Sequence, residues 1–176
     1  MTEAKATEGG FAKLAGYGGA VVGFVLARYC GLSLIIPGAI AIGAYWLGHK
    51  RLTGARRVVL ASATIAIGHM GWMAFGAAYL GNWSLVSTDL AVFTALLAWL
   101  FARPSTPPLI ALAAFQTMSL FINVNAISKL EVGTPSHASL TAHIVLRVAC
   151  LISVYFAINT LKVEKAAPIV AIDASS

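Results

Sequence analysis

The sequence predicts an all-α integral membrane protein, a bundle of six transmembrane helices, and three observations carry that prediction. Hydrophobic residues make up 59% of the 176-residue chain and charged residues only 10%, against about 25% charged in an average soluble domain. The apolar residues fall into six long runs, without the alternation of a barrel strand. The lysines and arginines sit in the gaps between those runs, biased to one side. A soluble fold of this length has too little interior to hide so much apolar surface. In lipid, only helices and closed barrels satisfy their own backbone hydrogen bonds.

The spans follow in order, each near the 20 or so residues that cross a hydrocarbon core. Span one covers residues 10–27, where Gly16, Gly19 and Gly23 make a small-residue face with one GxxxG match. Arg28, Tyr29, Cys30 and Gly31 break the apolar run. Span two covers 32–48, with Pro37 near its first turns, and span three covers 58–80. Span four covers 85–102. Pro104, Pro107 and Pro108 then stop one helix and start the next, so span five covers 109–128. Pro135 precedes span six, 138–161. Residues 1–161 thus form one transmembrane domain, and 162–176 read as a cytoplasmic tail.

Charge sets the expected orientation. With the N-terminus inside, the inner segments hold Lys5, Lys13, Lys50, Arg51, Arg56, Arg57, Arg103, Lys162 and Lys165, and the outer segments hold Arg28 and Lys129. That imbalance predicts both termini in the cytoplasm, with a bacterial inner membrane as the default location. Five crossings result if span one lies in the interface instead. The net charge of +6 does not point to nucleic acid, because the cations flank apolar spans rather than forming a patch interleaved with aromatics. Trp46, Trp83, Trp99, Tyr29 and Tyr45 fall towards span ends, as interface anchors do.

Polar residues inside the spans are the candidate sites. On span six, Ser136, Ser139, His143, Arg147 and Cys150 fall in one sector of the helical wheel, opposite Ile144, Val148 and Ile152. Span three carries His69, with Gly68, Gly71 and Gly76 leaving room for a neighbouring helix. Span five carries Gln116, Ser119 and Asn123 on one face, and span four carries Asp89 near its start. At about 1.5 Å per residue from the outer ends, His69 and Arg147 lie about 16 Å deep, His143 about 10 Å and Asn123 about 8 Å. These depths suit one polar chamber opening outward. Arg147 keeps its charge in lipid and needs a partner. Of six acidic residues, Asp89 is the first candidate for a structural ion pair, and an anionic ligand is the next.

Four function classes remain. A non-catalytic membrane subunit or accessory protein, alone with lipid, as a homodimer or within a larger membrane complex, fits the small size and short loops. A small transporter or ligand-binding protein would use His69, Gln116, Asn123, His143 and Arg147. A b-type haem electron carrier would take His69 and His143 as axial ligands. An intramembrane enzyme lacks every expected signature: there are no paired carboxylates, no GxSxG and no HExxH. The expectation is therefore no catalytic residues, no metal site and no cofactor, with haem b as the alternative.

Overall fold

The computed structural model describes residue 28 and residues 30–173, with side chains up to residue 163. Span one and its glycine face lie outside the described residues. Among the described residues the chain is all-helical, with no strands. Helix α1 runs over Leu32–His49, α2 over Gly54–Val58 and α3 over Leu60–Leu80. A 3-10 turn at Trp83–Leu85 leads into α4, Ser87–Ala102. Helix α5 covers Thr106–Ile127 and α6 covers Pro135–Asp173.

Four segments are long and apolar enough to cross a membrane: Leu32–His49, Leu60–Leu80, Thr106–Ile127 and Pro135–Val163. Helix α4 is apolar but has 16 residues, about 24 Å of rise against a hydrocarbon core of about 30 Å.

The boundaries differ from the sequence expectation in three places, each with a local cause. Span three divides at Val59, so that the short α2 carries the arginines and α3 carries the apolar run. Helix α5 starts at Thr106, because Pro107 and Pro108 occupy its first positions, where a missing N–H costs nothing. Helix α6 continues to Asp173, past the boundary at 161 where a tail was expected. Lysine, glutamate and alanine between 162 and 167 are good helix formers, and the helix runs on through Pro168. The end of α3 was legible: Gly81 adopts the left-handed conformation (φ 65°), and the Asn82 N–H returns to the Ala77 carbonyl at 3.1 Å, a closure only glycine makes without strain.

Helix α3 packs against α1, α4 and α6, and α6 packs against both α3 and α5. Pairings between α3 and α6 run in opposite senses, Ser62 with Ser153 and His69 with His143, so the two helices are antiparallel. Glycine sets the distance between α1 and α3. A Cβ on Gly68 would strike the Pro37 carbonyl oxygen and come within 2.9 Å of the Ala41 Cβ, and one on Gly71 would meet Ile40 Cδ1 at 2.6 Å. Gly76, grouped with them from sequence, has nothing within 4 Å of that position.

The apolar core includes Val59, Ala63, Phe93, Leu97, Leu100, Leu109, Leu112 and Val154. Phe93 of α4 is fully buried, edge-on to both His69 and Phe115 with ring centroids 5.5 and 5.0 Å away. Phe93→Ala is expected to cost about 3–4 kcal/mol of stability by leaving a cavity at this three-helix junction; unfolding titrations in mixed micelles read the change.

Candidate functional site

The buried polar residues form a ladder along the inner face of α6. At its lowest rung the Ser62 and Ser153 hydroxyls lie 3.0 Å apart. The Cys150 thiol reaches the Ser62 carbonyl at 3.8 Å, a weak contact. Above them Arg147 makes two hydrogen bonds: Nη1 donates to Gln116 Oε1 at 2.9 Å, and Nη2 donates to Asp89 Oδ2 at 3.2 Å. At the top rung His69 Nε2 and His143 Nδ1 are 2.6 Å apart, so one ring nitrogen donates and the other accepts.

Periodicity explains the α6 side. His143, Arg147, Cys150 and Ser153 recur every three or four residues, which keeps them on one stripe. The stripe enters the bundle because its other faces carry residues that suit lipid, among them Val148, Ile152, Tyr155 and Phe156, all exposed. The partners come from three different helices: His69 and Ser62 from α3, Asp89 from α4 and Gln116 from α5. The Arg147 guanidinium also lies 5.8 Å from the centre of the Phe115 ring, within range of a weak cation–π attraction.

Burial is uneven along the ladder. His69 and Gln116 are 0% exposed and Arg147 is 2% exposed. The Asp89 side chain is 38% exposed. The carboxylate therefore sits at the rim, in the first turn of α4, where the helix N-terminus favours negative charge. Three ladder atoms are buried without a partner among the described residues: His69 Nδ1, Gln116 Nε2 and Arg147 Nε.

The structure thus brings His69 to His143, and Arg147 to both Gln116 and Asp89. Asn123, further along α5 and half-buried, takes no part in those hydrogen bonds. The offset in depth between the histidines, counted from sequence, narrows in part because helix α6 begins at Pro135, earlier than residue 138, which sets His143 about 12 Å from its start. Ser153 and Phe93 went unnoticed in the sequence. Ser153 was findable as the next step of the His143–Arg147–Cys150 period, whereas nothing local marks Phe93 as the residue packed against His69.

The two histidine rings do not fit an iron between them. Axial ligation needs two nitrogens on opposite sides of the metal, about 4 Å apart for bonds of about 2 Å. Here the facing nitrogens are 2.6 Å apart and the ring centroids 4.8 Å apart. Purified protein is expected to show no Soret band, and an absorption spectrum checks this directly.

Two grooves on the bundle are lined mainly by apolar side chains. One, of about 540 Å³, is lined by residues such as Ile40, Met70, Leu97 and Phe101. The other, of about 680 Å³, runs between α3 and α6 past Ile65, Ile152 and Phe156. Comparison of the chain with protein-family models, with curated proteins and with solved structures returns no match.

Replacing His69 by leucine removes one ring and leaves His143 Nδ1 facing an apolar group. The expected loss is about 1–3 kcal/mol, and His69→Leu/His143→Leu is expected to lose less than the sum of the single changes, because neither polar atom then remains. A double-mutant cycle in detergent micelles measures the coupling.

Proposed function

We propose that this chain is a non-catalytic subunit or accessory protein of a membrane, held rigid by its interior ladder and joined to partners through its outer helix faces. The observation that carries this reading is that the interior cation finds its counter-charge within the chain. Arg147 spends two of its donors on Gln116 and Asp89, and the histidines are spent on each other. A site built to receive a ligand keeps several converging polar groups available in a pocket, whereas the two grooves described above are lined mostly by apolar side chains. The outer surfaces supply what an accessory role needs: α1 exposes Leu32, Ile35, Ile42 and Trp46, and α5 exposes Met118, Phe121 and Ile122.

In this reading the protein crosses the membrane six times. Residues 10–27 make the first crossing and both termini are cytoplasmic, following the distribution of lysine and arginine. Helix α4 is a short crossing, and Asp89 at its start reaches the outer interface, which accounts for a carboxylate at the rim. A bacterial inner membrane is the proposed location. Tags at each terminus, probed with protease on sealed vesicles, test the topology; tags on opposite sides would remove the six-crossing arrangement.

A second reading has one observation in its favour. Gln116 Nε2 and Arg147 Nε are buried donors without partners, which suits a small anion or polar ligand bound beside Arg147. One experiment separates the two. Tagged protein is purified in mild detergent at native expression level. The accessory reading expects stoichiometric co-purification of a second membrane protein. A stable homodimer whose melting point rises with small carboxylates or phosphates would instead favour the ligand-binding reading.

A further inference from the structure

The end of the bundle opposite Asp89 carries a second cluster of charge. The link between α1 and α3 holds Lys50, Arg51, Arg56 and Arg57, all exposed. Two of these are held in place. Arg57 Nη2 donates to His49 Nε2 at 2.7 Å, which requires that nitrogen to be unprotonated. Lys50 Nζ sits 4.1 Å over the Trp46 ring, a cation–π contact at the level where the apolar helix face ends. Of the acidic side chains described, Asp89 pairs with Arg147 in the interior and Glu131 follows α5, so among the described side chains no carboxylate neutralises this link. Four cations are thus gathered beside an aromatic shelf, at the depth where a phospholipid presents its phosphate.

We propose that the α1–α3 link is a binding site for anionic phospholipid. The phosphodiester headgroup is held by Arg56 and Arg57 with Lys50 and Arg51 beside them, and the acyl chains lie along the exposed face of α1 below Trp46. Tight anchoring of Arg57 and Lys50 lowers the ordering cost of capturing a phosphate. A guanidinium fork also matches phosphate geometry better than an ammonium does. The inference rests on the membrane residence argued above.

The test uses the full chain in neutral detergent. Its unfolding midpoint is followed as phosphatidylglycerol, phosphatidylcholine or inorganic phosphate is added. Phosphatidylglycerol is expected to raise the midpoint by about 5 °C or more at saturation, with little response to phosphatidylcholine. The rise should shrink between 0.05 and 0.5 M salt, over which the screening length falls from about 14 Å to about 4 Å. Arg56→Gln/Arg57→Gln should lose most of the rise, whereas Arg103→Gln, an exposed cation outside the link, should keep it.

Equal responses to both lipids, a response in Arg56→Gln/Arg57→Gln matching the parent, or a rise independent of salt would each overturn the proposal. An equal rise with inorganic phosphate would overturn the lipid as the source and leave a free-anion site. If Arg56→Gln/Arg57→Gln does not fold, the lipid comparison and salt series on the parent protein decide. Failure of membrane residence shows up separately, as protein that stays soluble when cells are broken without detergent.

Discussion

Asp89→Leu is expected to destabilise the bundle by about 3 kcal/mol, the largest loss from any single polar substitution. Removing one partner of a buried ion pair typically costs 3–5 kcal/mol, because the remaining charge stays buried without compensation. The lower end applies here, since Asp89 is 38% exposed and part of its interaction with Arg147 is already shared with the surroundings. Arg147 itself is 2% exposed and cannot shed its charge. After the change it would retain only the neutral Gln116 oxygen at 2.9 Å.

The double variant Asp89→Leu/Arg147→Leu separates a structural pair from a functional one. Replacing both charges by apolar side chains of adequate volume is often neutral or stabilising. The double variant is therefore expected to recover most of the stability lost by Asp89→Leu alone, less the cost of leaving Gln116 without its partner, about 1–3 kcal/mol. Unfolding in mixed micelles at several detergent ratios measures all three proteins. Full stability of Asp89→Leu would show that the pair does not lock α4 to α6. A stable double variant that no longer binds its partner protein would move the ladder from scaffold to recognition.

Gly68→Val is expected to cost about 3 kcal/mol and to loosen α1 from α3. The added Cβ would strike the Pro37 carbonyl oxygen, a backbone atom that cannot rotate away, and would press on the Ala41 Cβ. Overpacking of this kind typically costs 1–3 kcal/mol, and the upper end fits an obstruction made of backbone. Gly76→Val provides the comparison. With nothing within 4 Å of its Cβ position, it should change stability by less than about 1 kcal/mol. Unfolding titrations of both variants and the parent in mixed micelles would report the difference.

The two glycines show what sequence reading resolves and what it does not. Gly68, Gly71 and Gly76 look alike along α3, and the expectation of a close helix contact applied to all three. Only the placement of α1 distinguishes them, by bringing Pro37 and Ile40 to Gly68 and Gly71 and leaving Gly76 open. The polar residues behave the same way. The stripe on α6 was legible because hydrogen-bonding groups recur every three or four residues against an apolar background. Its partners were not, because Asp89, Gln116 and His69 belong to separate helices whose rotation and height leave no trace in local spacing. Asn123 illustrates the limit: it shares a helical face with Gln116 in sequence, yet lies outside the hydrogen bonds that Gln116 joins.

Composition and periodicity determined by themselves that this chain is helical, where most of its helices begin and end, and which side chains are too polar to face hydrocarbon. Those properties depend on neighbours within a few residues, through backbone hydrogen bonding and the 3.6-residue turn. The tertiary structure alone decided that Arg147 reaches Gln116 and Asp89 while the two histidines close on each other. Such pairings follow from how whole helices pack, and packing is set by shape across the bundle rather than by any segment of it.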